Sequence, residues 1–182
     1  MILKNLAKLC NTHKRIFLYS SKQDTQWAGD GKAFYPLYGI PRLNGSTIAN
    51  VFSVPEKQRG KFDIQELILP DYLDFKDAAD AGETQLRPEE LSIGYGDSVL
   101  YPLRTSLGLR FYDPIYLKPL ADKQTTLEMY ERVTEGGLVY FAAKAGTFLE
   151  AIILPEDVDE EKLLNRLQDL SNCMEITLHR QS

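Results

Sequence analysis

Short β-rich runs broken by tight-turn residues are the feature that most limits how this chain can fold. Asp30-Gly31 separates the runs 25–29 and 32–38, and Asp-Gly is a strong hairpin signal because a type I′ turn needs positive φ. Further turn dipeptides lie at 96–97, 136–137 and 145–146. Strands joined by such short turns pair antiparallel. Because no long βαβ spacing occurs, the sequence predicts an α+β fold with a mainly antiparallel β-sheet and a few packed helices.

Helical periodicity marks both ends of the chain. Five apolar residues at helical spacing form one face of a first helix: Ile2, Leu3, Leu6, Leu9 and Cys10. Four leucines do the same for a last helix, which Asp157 or Asp159 caps: Leu163, Leu164, Leu167 and Leu170. A short terminal strand is predicted over 175–179.

Two shorter helical pieces are predicted between these ends. Ser46 is the expected N-cap of a helix around Ile48, and Pro55 limits its far end. Asp113-Pro114 opens the second piece. The remaining β-rich runs predict strands at 15–20, 62–69, 91–95, 98–103 and 107–112, and a three-strand meander over 126–154.

Charge is divided unevenly along the chain. The 21 basic and 26 acidic residues give a formal net charge of −5, but residues 1–61 are net basic and residues 62–182 are net acidic. Segment 71–90 holds seven acids against Lys76 and Arg87, which favours a solvated loop, short helices or a disordered insertion. We expect a single α+β domain over 1–182, or two lobes, 1–70 and 91–182, joined by this acidic loop.

The composition is that of an ordinary globular protein, with 43% hydrophobic and 26% charged residues. No apolar run approaches the ~20 residues that span a bilayer, and the first residues lack the pattern of a signal peptide. A disulfide between Cys10 and Cys173 is not favoured, because cytosolic thiols stay reduced. We therefore expect a cytoplasmic protein with no membrane partner and no cofactor.

Signatures of catalysis are weak. His13 and His179 are the only histidines, too few for a zinc site, so we expect no metal and interpret His13 as a surface or cap residue. Cys10 lies on the apolar helix face, which is typical of a core thiol. Gly29-Asp30-Gly31 precedes a strand-like run, whereas a phosphate-binding loop needs a helix N-terminus there. These residues favour a protein that is not an enzyme.

Carboxylates near the predicted strand ends leave one enzymatic alternative. The four candidates are Asp24, Asp30, Asp97 and Asp113. A pair of them brought together could bind Mg²⁺ in a metal-dependent nuclease. Turn propensity alone also explains an aspartate at each position.

Cations on the first helix indicate a nucleic-acid partner. Lys4 and Lys8 share the face opposite the apolar one, and Lys14 and Arg15 follow directly. Such side chains neutralise DNA phosphates without reading sequence. A second basic cluster lies within 57–61. An ordinary solvated helix face explains the same charges.

Three segments resemble a loose class of small proteins encoded by bacteriophages and prophages. They are 26–39, beginning Gln26-Trp-Ala-Gly-Asp-Gly-Lys, the stretch Tyr116-Leu-Lys-Pro-Leu, and 142–155. Such families carry no assigned activity. The resemblance therefore implies a phage or prophage origin and no particular function.

A second resemblance concerns the fold. Leu109-Arg-Phe-Tyr-Asp-Pro-Ile-Tyr-Leu-Lys-Pro-Leu is similar to the strand-into-helix entry in the last domain of bacterial sliding clamps. The stretches 127–133 and 138–155 resemble the closing strands of that domain. The resemblance implies a DNA-clamp-like arrangement of helices on the sheet. The chain departs from clamps because it is too short for a three-domain subunit and because 71–90 has no counterpart.

The leading hypothesis is a non-enzymatic accessory protein of phage or prophage DNA replication or recombination. Six cations are the predicted DNA-backbone contacts: Lys4, Lys8, Lys14, Arg15, Lys118 and Lys123. The first alternative is a protein-binding module that acts on a host or phage factor. Its predicted contacts are acidic: Asp71, Asp74, Asp77 and Asp80. The second alternative is the metal-dependent nuclease.

Overall fold

The computed structural model of the protein describes residues 1–21, 25–89, 91–159, 161–165, 168, 169 and 172. Helix α1 spans Leu3–His13 and α2 spans Gly45–Val51, and 3₁₀ helices span Glu56–Lys61 and Pro114–Lys123. The strands are β1 Arg15–Ser20, β2 Gln26–Gly29, β3 Ala33–Pro36, β4 Asp63–Ile68, β5 Thr84–Leu86, β6 Ile93–Tyr95, β7 Ser98–Thr105, β8 Gly108–Tyr112, β9 Leu127–Val133, β10 Val139–Ala145 and β11 Phe148–Ile153.

Eight of these strands form one mixed sheet in the order β4-β1-β2-β3-β11-β10-β9-β5, and β6, β7 and β8 form a smaller antiparallel sheet. In the larger sheet only β1 and β4 pair in parallel, because the chain crosses over through α2 before β4 begins. The predicted α+β class with a mainly antiparallel sheet is confirmed. The clamp-like arrangement stays a prediction.

The predicted Asp30-Gly31 hairpin is confirmed, but its turn type is not I′. Gly29 pairs with Phe34, so four residues form the loop. Gly31 alone among them has positive φ, at 96°, whereas a type I′ turn needs two such residues. The Asp30 carboxylate explains the difference, because its Oδ1 accepts from the backbone N–H groups of Lys32 at 3.0 Å and Ala33 at 3.1 Å. That side chain shapes the loop with a single positive φ.

Helix α2 and the second 3₁₀ helix both start with a side-chain cap. Asn44 caps α2 in a capping box, in which its side chain accepts from the N–H of Thr47 at 2.9 Å and its own N–H donates to Thr47 Oγ1 at 2.7 Å. The prediction of Ser46 as the cap was wrong, because the helix begins one residue before it. Asp113 caps the 3₁₀ helix as expected, with Oδ1 accepting from the N–H of Ile115 at 2.8 Å.

The larger sheet is covered on both faces, and β1 shows how side chains alternate between the two sides. Ile16 and Leu18 pack on the side of α1, α2 and the second 3₁₀ helix. Tyr19 packs on the opposite side, in a cluster with Trp27 and Leu73. Leu73 comes from the acidic stretch 71–89, which is a loop with strand β5 and contains none of the short helices considered from the sequence. The acidic segment is therefore the third layer of the molecule.

The last predicted helix is present where the structure describes it. Residues 161–165 are helical, and Asp159 Oδ1 accepts from the N–H of Lys162 at 3.0 Å, as expected of its cap. The predicted strand 175–179 and Cys173 lie outside the described residues. Within the described ranges, no helix has the length and apolar character needed to cross a bilayer.

Candidate functional site

An open groove of about 1140 Å³ lies on the face of the sheet that the acidic segment covers. One wall is the stretch 68–82, and the other is formed by residues 132–140 of the β9–β10 hairpin. The ends of β1 and β2 close the bottom. Its volume exceeds the usual ~300–1,000 Å³ of a small-ligand pocket. An open site of this size suits a chain segment better than an enclosed small molecule.

Aromatic rings make the groove floor rigid. The rings of Trp27 and Phe75 are 4.9 Å apart between centroids and meet edge to face at 71°, and Phe34 contacts Phe75 at 5.5 Å. The Tyr140 hydroxyl accepts from the N–H of Asp74 at 2.9 Å. The acidic segment is thus anchored to the sheet both by ring packing and by a buried hydroxyl.

Arg132 on β9 holds the acidic segment in shape. Its Nη1 donates to the carbonyl oxygens of Asp74 and Lys76, both at 2.9 Å, and its Nη2 donates to that of Asp77 at 3.2 Å. Its Nε and Nη2 also donate to Glu83 Oε2, at 3.0 and 2.7 Å. The side chain is 1% exposed. A planar guanidinium can satisfy several acceptors at once, which a single ammonium does less well.

Glu83 joins this arginine to a second cation. Lys144 donates to Glu83 Oε1, so each carboxylate oxygen faces a positive charge. Burial opposes ionisation of Glu83, but the hydrogen bonds from Lys144 and Arg132 lower the pKa of its carboxyl below the usual value. The carboxylate stays charged and keeps the segment joined to β9 and β10.

The groove lining carries a surplus of negative charge. Its acids are Asp71, Asp74, Asp77, Asp80 and Glu135. Among the described residues, the cations of the lining are Lys76 and Arg132. Lys76 pairs with Asp80, and the Arg132 guanidinium is fully engaged within the protein. Among the described residues, nothing donates a hydrogen bond to Asp71 or Glu135, so these two exposed carboxylates face only solvent.

Large apolar side chains are exposed between these acids. Four of them line the groove: Ile68 at 79% exposed, Tyr72 at 56%, Tyr38 at 55% and Leu138 at 42%. Clustered exposed apolar groups beside polar ones mark interaction sites more often than scattered ones do. The groove can therefore contact apolar side chains of a ligand and attract its cations.

All four aspartates predicted to contact a partner line this groove, although three of them also have partners within the protein, Asp80 through its ion pair with Lys76. Asp74 accepts from the N–H groups of Lys76 and Asp80, each at 2.9 Å. Asp77 Oδ1 accepts from the N–H of Leu149 at 2.7 Å. Asp71 and Asp80 are exposed.

Sequence reasoning missed Glu135, Arg132 and the aromatic floor. The available signal for Arg132 was a single arginine inside the alternating run 127–133. A charged side chain on a covered face of a sheet must find hydrogen-bond acceptors there.

Four of the cations predicted to contact DNA lie on the opposite side of the sheet, on α1 and the second 3₁₀ helix. The alternation along β1 places Arg15 on the same side as Phe17 and Tyr19. Lys4 and Lys8 are exposed on the outer surface of α1. Lys14 and Arg15, also exposed, meet the second basic cluster, because the Lys14 carbonyl accepts from the N–H of Asp63 at 2.9 Å and its ammonium lies 4.8 Å from the Phe62 ring centroid. The structure therefore joins two basic stretches that are distant in sequence.

Lys118 and Lys123 differ in their surroundings. The Lys118 carbonyl accepts from Asn5 Nδ2 at 2.8 Å, which brings this exposed lysine beside α1. The Lys123 ammonium pairs with Glu150, whose side chain is 5% exposed. Lys118 extends the basic surface, whereas the charge of Lys123 is neutralised by Glu150.

The aspartates of the nuclease alternative occupy separate positions. Asp30 is buried and bonded as described, Asp97 lies exposed in the β6–β7 turn, and Asp113 caps the second 3₁₀ helix. Asp24 lies outside the described residues. Over the described ranges, no group of three or more His, Cys, Asp and Glu side chains is placed to hold a metal ion.

His13 and Asp30 form a pair that the sequence did not reveal. The His13 Nδ1 is hydrogen-bonded to Asp30 Oδ2, which links the end of α1 to the β2–β3 loop. This hydrogen bond raises the pKa of His13, burial opposes the rise, and the charges of Asp30, Asp113 and Glu156 add to it. Nearby, burial and the charge of Asp30 raise the pKa of the Cys10 thiol. The thiol is therefore no nucleophile for this His–Asp pair.

Replacing His13 with glutamine is expected to remove a pH dependence of stability. Because the folded pKa is raised, protonated His13 contributes stability that is fully present below its unfolded pKa of about 6.5 and is lost as the pH rises through the folded value. The free energy of unfolding, measured by urea denaturation from about pH 5 to about pH 9, should fall more steeply for the natural chain than for the variant. Parallel profiles would contradict this role.

No protein-family model, curated protein or solved structure matches the chain.

Proposed function

We propose that this chain is a non-enzymatic protein-binding module whose groove holds a basic, partly apolar segment of a partner protein. The observation that carries the proposal is the groove lining, where exposed carboxylates alternate with exposed Ile68, Tyr72, Tyr38 and Leu138. Lysine and arginine side chains complement the first set, and aliphatic or aromatic ones complement the second. An accessory role beside a host or phage factor is consistent with this chemistry.

The rigidity of the groove supports binding rather than catalysis. Its acidic wall is held by the carbonyl contacts of Arg132 and by the Trp27–Phe75 packing. A site that is already ordered loses little conformational entropy when a segment binds. The free carboxylates of Asp71 and Glu135 also speed encounter with a cationic segment by electrostatic attraction.

Selection of ligands from a random peptide library on the purified protein tests the proposal. We expect the selected peptides to be enriched in lysine or arginine and in apolar residues. In fluorescence anisotropy, their binding should weaken as salt increases, because exposed charges are screened. The double substitution Asp71→Lys and Glu135→Lys should weaken it by at least about tenfold, since attraction becomes repulsion at two points.

A matched variant separates groove charge from overall charge. Asp97→Lys with Glu161→Lys makes the same change in net charge at two exposed sites outside the groove lining. Its affinity should stay within about twofold of the natural chain. Failure to select any peptide, or equal losses in the two double variants, would overturn the proposal.

The second candidate function is contact with the DNA backbone. It is favoured because the structure brings the basic stretch 57–61 beside Lys14 and Arg15. In this candidate Lys4, Lys8, Lys14, Arg15 and Lys118 contact phosphates without reading sequence. A titration of fluorescent duplex DNA distinguishes it, because binding would fall steeply with salt and with Lys4→Glu and Lys8→Glu. Absence of DNA binding at low salt would leave the groove as the single candidate. The phage origin and clamp resemblance stay predictions from the sequence.

A further inference from the structure

The edge of the larger sheet beside the groove is open. Over the described residues, strand β4 is the terminal strand and pairs only with β1, and it ends at Ile68, which lines the groove. At the other edge, β5 is followed by Pro88, which forms a bridge to Leu103 of β7. The two edges of the sheet therefore differ: the chain after β5 continues to a bridge with the smaller sheet, whereas β4 ends at a residue of the groove lining.

The register identifies which backbone groups of β4 face outward. The N–H of Asp63 donates to the Lys14 carbonyl at 2.9 Å, and the N–H of Leu69 donates to the Ser20 carbonyl at 3.1 Å. In a parallel pair, every second residue of a strand directs both its N–H and its C=O toward the neighbouring strand. In β4 these are residues 63, 65, 67 and 69, which face β1.

The backbone groups of Ile64, Glu66 and Ile68 consequently point away from the sheet. No backbone partner occurs for them in the portion of the chain that the structure describes. An unpaired row of this kind is a template for another strand.

We infer that the partner segment binds as an added β-strand on β4 and continues into the acidic groove. This inference rests on the proposed function, since it specifies how the same basic segment is held. Backbone hydrogen bonds to Ile64, Glu66 and Ile68 supply affinity, and alternate side chains supply specificity, as in other cases of strand addition. The exposed Ile68 side chain and the Asp71 carboxylate lie at the end of the strand, where the added segment enters the groove.

Charge selects the occupant of this edge. Basic residues lie at the start of β4, where Lys61 precedes the strand and Arg15 pairs with Asp63. Its groove end is acidic, because Glu66, whose Oε1 accepts from the N–H of Gly45 at 2.8 Å, is followed by Asp71 and Asp74. A second copy pairing through its own β4 would bring like charges together in the antiparallel register that sets Glu66 opposite Glu66, which destabilises a strand pair. A strand that alternates lysine with an apolar residue has opposite charge and the period needed to present all its cations on one side. The occupant is therefore a basic extended segment of another protein.

A designed peptide tests this mode of binding. The probe alternates lysine with valine, matches the six residues of β4 in length and is blocked at both ends. Ile68→Pro removes an outward N–H, which proline lacks, and leaves the bonds to β1 in place. We expect this variant to lose about tenfold in affinity and Ile68→Val to lose less than twofold, with the thermal midpoints of both unchanged. Amide exchange of Ile64, Glu66 and Ile68 should slow when the peptide binds.

The outcomes separate this inference from the proposed function. If Asp71→Lys with Glu135→Lys abolishes binding while Ile68→Pro and amide exchange show no effect, the groove is correct and strand addition is wrong. If the natural chain binds neither this peptide nor library peptides, both are wrong. Protection of the three amides that rises with protein concentration in the absence of peptide would identify a second copy as the occupant, and would overturn the inference.

Discussion

Replacing Arg132 with methionine is expected to lower the free energy of unfolding by about 3–5 kcal/mol. The change leaves three backbone carbonyls of the acidic segment without their donor and leaves Glu83 with Lys144 alone. Buried acceptors that lose their only donor cost more than the hydrogen bond itself contributed. Urea denaturation followed by fluorescence is a direct measurement, because Trp27 is the single tryptophan and contacts Phe75 of that segment.

Two further variants identify the cause of this loss. Arg132→Lys keeps the charge but lacks the planar fork, so we expect an intermediate loss. Arg104→Met removes an arginine whose side chain is 79% exposed and 3.4 Å from Glu89, and it should change stability by less than about 0.5 kcal/mol. A loss for Arg132→Met no larger than that of Arg104→Met would show that the carbonyl contacts do not hold the segment.

Replacing Gly29 with alanine is expected to cost roughly 3 kcal/mol, at the upper end for overpacking. A Cβ at this position would lie 1.7 Å from the carbonyl oxygen of Ala33, across the β2–β3 hairpin. The obstacle is backbone rather than a flexible side chain, so the hairpin itself must move. That movement would disturb the Asp30 carboxylate, which binds both the loop amides and His13.

Gly136→Ala is the matched control for this substitution. A Cβ there meets nothing closer than 3.8 Å, and Gly136 has no positive φ. Its thermal midpoint should stay within a few degrees of the natural protein, whereas that of Gly29→Ala should fall by several times as much. Equal midpoints for the two variants would show that the close approach at Gly29 is relieved at little cost.

The two large effects concern different strands of the same sheet, β9 and β2. Arg132 fixes the wall of the groove, so its loss should weaken peptide binding as well as stability. Gly29 is not part of the groove lining, but it belongs to the hairpin that carries Asp30 and pairs with Phe34, which contacts Phe75 of the groove floor. We expect Gly29→Ala to reduce peptide affinity only in proportion to the unfolded fraction.

Most elements of the fold could be predicted from the sequence, because their signals are local. The alternating runs became β1, β4 and β7 to β11, and the apolar face of α1 is buried as its spacing indicates. The errors were also local. Ser46 is a good capping residue, but Asn44 is another and forms the reciprocal bond with Thr47 that decides the helix start.

The candidate site was predicted only in part. The acidic stretch 71–90 stood out by composition, and its four aspartates do line the groove. Composition could not show that the stretch is pinned to the sheet by Leu73, Phe75 and a single arginine from β9. Those contacts join residues more than fifty positions apart in the chain, so no local pattern encodes them.

The sequence by itself determined the α+β class, the hairpins, the helix faces and the presence of one basic and one acidic part. Each of these depends on neighbours within a few residues, through side-chain period, turn geometry and charge. Only the tertiary structure decided that the basic helix and the acidic segment lie on opposite sides of one sheet, with Lys4 and Lys8 exposed on α1 and the acids around a groove. The reason is strand order. Helix α1 leads directly into β1, β1 pairs with β4, and β4 leads directly into the acidic segment. The basic helix and the acidic segment therefore pack on different faces of this sheet.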